Sequence, residues 1–108
     1  MISNGRTVEL KESFTAQLAI IQEYISQFEL KKGRELTTSL VNYVLDVVAP
    51  NHYIFAEYAE RLTPEKMYRR AMFKLKYVII YKVTDEQVTF LAIYHTSQNP
   101  DGISLEEE

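Results

Sequence analysis

The residues of this sequence that could bind a phosphate or a carboxylate lie mostly in one window, residues 61–82. That window contains seven basic residues and one acidic residue, Glu65, although the 108-residue chain has a net charge of −3. Guanidinium and ammonium groups bind the phosphates of nucleic acids and the carboxylates of acidic protein segments. The window therefore predicts a basic surface for an anionic partner on an otherwise acidic protein. The alternative is that these residues form the solvated faces of ordinary strands.

Four of these cations stand on a predicted strand or beside the turn that follows it: Arg69, Arg70, Lys74 and Lys76. Because neighbours on a strand point to opposite faces, only one of Arg69 and Arg70 can reach a given phosphate. Lys74 and Lys76 flank the turn, where they could anchor a backbone phosphate. On the next strand, Tyr81 could donate a hydrogen bond or stack on a base. Strand tyrosines are also commonly half-buried structural residues, so both interpretations stay open.

Several classes of protein are excluded by composition. The absence of cysteine excludes disulfides, thiolate zinc sites and cysteine nucleophiles. His52, His95 and the scattered carboxylates lack the spacing of metal ligands, so we predict no metal and no cofactor. No apolar run approaches the roughly 18 residues that span a membrane, and the amino terminus lacks a signal segment. We therefore expect a cytoplasmic protein without membrane contact.

The first half of the chain predicts a strand at residues 7–10 and two helices. Ser13 is a candidate cap for the first helix, and residues 30–33 predict a tight connection in which Gly33 could take a positive φ. Apolar residues recur at helical spacing in two stripes. The first stripe is Phe14, Leu18, Ile21, Ile25 and Phe28; the second is Leu36, Leu40, Val44 and Val47, ending at Pro50. Two such helices form an antiparallel hairpin that must pack on another layer.

The second half predicts a small sheet. Residues 51–62 are ambiguous: residues 54–62 could form a short helix. Thr63 with Pro64 predicts a helix start, because proline is favoured at the first helical position. Residues 68–74, 77–83 and 88–94 are rich in β-branched and aromatic residues and predict three strands. Their short connections predict an antiparallel meander, with the second strand inside the sheet because it is apolar on both faces.

The predicted fold class is therefore α+β, with an N-terminal strand and an antiparallel helical hairpin packed on a small antiparallel β-sheet. The length predicts a single domain over residues 1–108. We expect an ordered core at residues 6–98 and an acidic tail at residues 100–108.

The carboxy-terminal half resembles a known family. Tyr68-Arg69-Arg70 is followed by KLKYVIIYKVTDEQVTFLAIYHTSQNP, which contains a Tyr-x-x-x-Tyr strand, an acidic turn, and a strand that ends in a histidine. This pattern resembles the RelE/ParE superfamily of toxins from type II toxin–antitoxin systems, which includes plasmid stabilisation proteins. The likeness covers residues 7–100, and its specific part is residues 68–100.

The resemblance implies the family's fold and a bacterial toxin held inactive by a cognate antitoxin. Some members bind the ribosomal A site and cut messenger RNA, whereas others poison DNA gyrase and are not nucleases. For a nuclease, the resemblance implies metal-independent RNA cleavage with His95, Arg69 and Tyr94 as candidate catalytic residues. Arg70, Lys74, Lys76 and Tyr81 are the candidate residues for binding RNA or another target.

One departure from the family affects the choice of function. Many members have arginines directly after the terminal histidine, where this chain has Thr96-Ser97-Gln98. Our first hypothesis is therefore a toxin that inhibits an essential target by contact, like the gyrase poisons. The second is a ribosome-dependent endoribonuclease, and the third is an inactive, degenerate toxin domain that acts only as a binding module. A homodimer is a further assembly that the sequence leaves open.

Overall fold

The computed structural model describes residues 2–98, which form two α-helices and a five-stranded sheet. The strands are β1 (Ile2–Ser3), β2 (Arg6–Leu10), β3 (Tyr68–Phe73), β4 (Tyr77–Val83) and β5 (Gln87–His95), and the helices are α1 (Glu12–Ser26) and α2 (Leu30–Tyr43). The acidic tail predicted at residues 100–108 lies outside the described residues. Within residues 2–98, no helix combines the length and apolar character needed to cross a bilayer.

The strand order in the sheet is β1-β2-β5-β4-β3. The two predicted hairpins are confirmed, since β4 pairs antiparallel with both β3 and β5. The predicted N-terminal strand, β2, joins the sheet parallel to β5, so the sheet is mixed. β1 was not predicted; it pairs with β2 across a two-residue turn at Asn4 and Gly5, whose φ angles are 51° and 80°. The α+β class is confirmed.

The helix α1 presents its apolar stripe to the sheet, and Phe14 is fully buried against Phe90. Phe28 does not belong to the stripe, because α1 ends before it and the residue is 77% exposed. Ser13 is not the helix cap, since Lys11 occupies that position. The hydroxyl of Ser13 instead donates to the carbonyl of Leu91. Leu91 is the bulge residue of β5 and has no partner on β4, so the hydrogen bond from Ser13 ties the start of α1 to this bulge.

The predicted connection at residues 30–33 is wrong, because α2 begins at Leu30 and contains Gly33. Gly33 is there for close approach between the helices and not for a positive φ. A Cβ atom at this position would lie 2.9 Å from the carbonyl oxygen of Gln22 and would also overlap the hydroxyl of Ser26. The next turn of α2 continues this contact, since the Thr37 hydroxyl donates to the Gln22 side chain at 2.8 Å.

The apolar stripe of α2 shifts by one residue at its end. Leu40 and Val44 are fully buried as predicted, but Val47 is 41% exposed and Val48 is buried in its place. The cause is a π-helical turn over Val44–Val48, which adds a residue to the turn and rotates the buried face.

The helix predicted at residues 54–62 is absent. A 3-10 turn at His52–Ile54 is followed by extended chain along the free edge of β3, where Tyr58 N donates to Tyr68 O at 2.8 Å. Thr63 and Pro64 start a turn and not a helix, because Lys66 N donates to Thr63 O at 3.0 Å and Lys66 has a φ of 55°. This segment protects an edge strand from pairing with other chains.

Arg69, a predicted catalytic residue, and Tyr81, predicted to bind RNA or a target, hold the turn that precedes this segment. The guanidinium of Arg69 donates to the carbonyls of Tyr53 at 3.2 Å and Phe55 at 2.8 Å. The hydroxyl of Tyr81, which is fully buried, donates to the carbonyl of His52 at 2.7 Å. Burial raises the pKa of Tyr81 far above its ordinary value, although the nearby charge of Arg69 lowers it. Arg69 and Tyr81 therefore have a structural role, which is to hold the turn at His52–Ile54 in place.

We expect Gly33→Ala to lower the free energy of unfolding by about 1–3 kcal/mol, the usual cost of overpacking. The added methyl group would overlap main-chain atoms of α1, which cannot change rotamer as a side chain can. This cost exceeds the gain of about 1 kcal/mol that alanine brings to a helix. Urea unfolding measures the change, with Thr38→Ala as a control at an exposed position of the same helix. An alanine variant at position 33 that is as stable as the wild type would contradict this packing.

The neighbouring arginines of β3 should differ sharply when each is replaced by alanine. Arg69→Ala removes two charged hydrogen bonds to main-chain carbonyls and should cost about 1–3 kcal/mol. Arg70 is exposed, so Arg70→Ala should change stability by less than about 0.5 kcal/mol. If both variants lowered the Tm equally, the hydrogen bonds of Arg69 would not be what stabilises this turn.

Candidate target-binding site

Three of the predicted site residues come together at one end of the sheet. Lys74 and Lys76 lie on the β3–β4 turn, and His95 ends β5 beside them. Tyr77, the first residue of β4, pairs with His95 in the sheet, and their rings lie 5.3 Å apart at 88°. The backbone N–H of Thr96 donates to the carbonyl of Lys76 at 2.8 Å, which ties the chain after β5 to the turn. We call this region the hairpin end of the sheet.

The imidazole of His95 is held by the residues that follow it. The backbone N–H of Ser97 donates to Nδ1 at 3.0 Å, and the Ser97 hydroxyl lies 2.8 Å from the same atom. Since a backbone N–H can only donate, Nδ1 accepts and the ring proton is on Nε2. Within residues 2–98 the ring has no carboxylate partner to orient it as an acid or a base. His95 is thus placed to make contacts; the titratable group beside its ring is Tyr77, and no carboxylate of residues 2–98 orients it.

Two grooves open at the hairpin end and share Ile25 and Tyr77. One, of about 430 Å³, is mainly apolar and runs beside α1, where Ile20 and Tyr24 line it together with His95. The other, of about 390 Å³, is basic and lies between the β3–β4 turn and α2. Its polar lining is Lys32, Lys74, Lys76, Glu35 and Ser39. Together the grooves place lysines next to apolar surface, which suits a partner with both apolar side chains and carboxylates.

The β3–β4 turn itself has an unusual backbone. Its central residues, Lys74 and Leu75, have φ angles of 54° and 57°, and Lys76 N donates to Phe73 O at 3.1 Å across the turn. Hairpin turns whose two central residues have positive φ normally use asparagine, aspartate and glycine there. For other residues the left-handed region costs about 1–2 kcal/mol each. The turn is therefore locally strained.

The remaining candidates lie elsewhere. Arg69 and Tyr81 hold the turn at His52–Ile54 on the helix side of the sheet. Arg70 and Tyr94 lie together on the opposite face, near Glu60. Burial raises the pKa of Tyr94, Glu60 raises it further, and Arg70 lowers it.

The prediction of one continuous basic surface is wrong. Besides the cations already placed, Arg61 and Lys82 both lie over the Tyr68 ring, at 4.8 Å and 5.6 Å from its centre, on the face away from the helices. The basic residues of the window thus divide among both faces of the sheet and the hairpin end. Within residues 2–98 there is no cluster of three or more histidine, aspartate and glutamate side chains that could hold a metal ion.

Sequence reasoning missed the contribution of the helices to this site. Tyr24 and Lys32 line the two grooves, although their positions in the sequence carry no signal for it. Leu75, between two lysines on the β3–β4 turn, is an exposed apolar residue whose position the sequence shows directly.

Comparison with known proteins supports the fold and assigns the family. The chain is similar to a chain of the chromosomal ParDE toxin–antitoxin system from P. aeruginosa, with 15% sequence identity and a TM-score of 0.68 over 86% of this chain and 98% of that chain. YafQ from E. coli strain BL21(DE3) matches with 24% identity and a TM-score of 0.47, covering 85% of this chain and 94% of that one. No curated protein sequence matches.

At 15% identity, the ParDE structure shows a shared fold and nothing finer. The family model for the ParE toxin of the type II toxin–antitoxin system parDE is more informative, because it matches residues 8–100. That match includes both helices, the strands that frame the hairpin end, and His95. This chain belongs to the ParE family of toxins of type II toxin–antitoxin systems.

Proposed function

We propose that this toxin arrests growth by binding an essential protein target, as the gyrase poisons do, and not by cutting messenger RNA. One observation carries the proposal: the three candidate catalytic residues, His95, Arg69 and Tyr94, do not converge. RNA cleavage by a 2′-hydroxyl needs a base, an acid and a cation around one phosphate.

The separation follows from the register of the sheet. Arg69 pairs with Tyr81, whereas His95 pairs with Tyr77. Four residues along β4 separate these pairs, which is about 13 Å at the rise of a strand. Tyr94 is next to His95 in β5 and points to the opposite face, where it packs in an apolar cluster with Val78 and Ile80. These three side chains could meet at one phosphate only if the strands separated.

The hairpin end suits contact with a protein better than recognition of RNA. Its groove beside α1 is apolar, and the exposed ring of Tyr24 packs edge-on against Phe28 at 5.5 Å, which extends the apolar surface. Aromatic anchors beside cations are typical of energetically important positions in protein interfaces. The candidate for base stacking, Tyr81, is fully buried and cannot receive a base.

Family membership implies a cognate antitoxin as partner. We infer that an acidic, apolar segment of the antitoxin covers the hairpin end, because the lysines and the apolar groove there fit such a segment. The gene for this antitoxin is expected beside the toxin gene. The proposed setting is the cytoplasm, where gyrase acts. A homodimer stays a prediction.

One observation favours the endoribonuclease as a second candidate. His95 is only half buried, and Lys74 and Lys76 lie at the same end of the sheet, where they could hold a phosphate. The inactive binding module is the third candidate. These possibilities differ in what happens to RNA and DNA in the cell.

Controlled expression of the wild type and His95→Ala in a bacterial host separates them. We expect the wild type to halt growth with a DNA damage response and intact messenger RNA. His95→Ala should weaken the arrest by less than about tenfold, the effect of losing one interface contact. Loss of a general acid or base would instead cost about 10²–10⁴ in rate.

Messenger cleavage by the wild type that disappears in His95→Ala would establish the nuclease. Normal growth with abundant, folded wild-type protein would support the inactive module. Circular dichroism of both purified proteins provides the control for folding.

A further inference from the structure

Two hairpin turns of this protein each contain two consecutive residues with positive φ, but the residues are very different. The β1–β2 turn uses Asn4 and Gly5, with φ angles of 51° and 80°, and the β3–β4 turn uses Lys74 and Leu75, with φ angles of 54° and 57°. Asparagine and glycine adopt positive φ readily, whereas lysine and leucine do not. The residues of the β1–β2 turn therefore favour positive φ, whereas those of the β3–β4 turn disfavour it.

The unfavourable pair is not explained by packing. Leu75 is 82% exposed, so it contributes little to the core of residues 2–98. The paired strands maintain the turn, since Phe73 pairs with Tyr77 and Lys76 N donates to Phe73 O at 3.1 Å. Strained residues that the surrounding structure holds in place are concentrated at binding and active sites. An apolar side chain displayed on a strained turn therefore points to recognition.

The charges around Leu75 indicate what kind of surface it would meet. The ammonium group of Lys74 lies 5.5 Å from the centre of the Phe73 ring, beside the turn. Among residues 2–98, no carboxylate forms an ion pair with Lys74 or Lys76. Lys32 adds a third cation across the basic groove. A surface that fits this arrangement has an apolar pocket with carboxylates at its rim.

We propose that Lys74-Leu75-Lys76 is the element by which the toxin recognises its protein target. Leu75 enters an apolar pocket of the target, and the two lysines pair with carboxylates around that pocket. This inference rests on the proposed function, in which the toxin acts by contact. It adds a residue-level site and the chemistry of the surface that receives it.

The double variant Lys74→Asn, Leu75→Gly tests the inference, because it gives the β3–β4 turn the residues of the β1–β2 turn. Relief of strain at two residues should raise the Tm by at least about 4–8 °C. Loss of Leu75 and one lysine should weaken growth arrest by at least about tenfold, as loss of an interface anchor does. A more stable but less toxic protein cannot be explained by unfolding.

The matched control is Gly5→Leu in the other hairpin. A Cβ atom at this position meets nothing within 4 Å, so the substitution introduces backbone strain without a clash. We expect a lower Tm and unchanged growth arrest at equal amounts of folded protein. The two variants therefore change stability and toxicity independently.

A double variant that arrests growth as strongly as the wild type would overturn the inference. A double variant whose Tm is unchanged or lower would also overturn it, because the turn would then not be strained. The growth readout does not depend on which target is bound. Growth arrest by the wild type with messenger cleavage and no DNA damage response would overturn the proposed function and, with it, the inference that rests on it. A folded wild type that does not arrest growth would overturn both.

Discussion

The alternation of side chains along three paired strands determines what this toxin can do with its polar residues. Consecutive residues of a strand point to opposite faces, so Arg69 separates from Arg70 and Tyr94 separates from His95. Antiparallel pairing then aligns His95 with Tyr77 and Arg69 with Tyr81, far from each other on β4. A single dense run of cations in the sequence becomes several small groups in the fold. Lys74, Lys76 and His95 remain together at the hairpin end, and the proposed binding function depends on that separation from the other cations.

Much of the fold could be predicted from local patterns. Helical spacing identified both helices, and β-branched and aromatic runs identified β3, β4 and β5. The errors arose where a residue serves a distant contact. Ser13 looks like a helix cap, but it bonds to the bulge of β5, and Gly33 looks like a turn residue, but it lets α1 and α2 approach. Neither bulge position nor helix contact is visible in a single sequence, since both depend on how the layers pack.

The site was predictable to a similar degree. Lys74, Lys76 and His95 are near strand ends, so their placement at one end of the sheet followed from the order of the hairpins. The grooves were not predictable, because α1 and α2 form their other walls. The structural role of Arg69 was not predictable either. Arg69 binds the carbonyl of Tyr53, in a 3-10 turn, and that of Phe55, where the sequence pattern of a helix begins but the chain is extended.

Inhibition by contact is the central claim, and purified components test it most directly. DNA gyrase, a plasmid substrate and ATP are mixed with the wild-type toxin, and both supercoiling and cleaved DNA are measured. If the toxin inhibits gyrase by contact, supercoiling decreases and gyrase-bound DNA breaks accumulate as toxin is added. Unchanged gyrase activity, together with cleavage of messenger RNA in a translating ribosome mixture by the same protein, would contradict it.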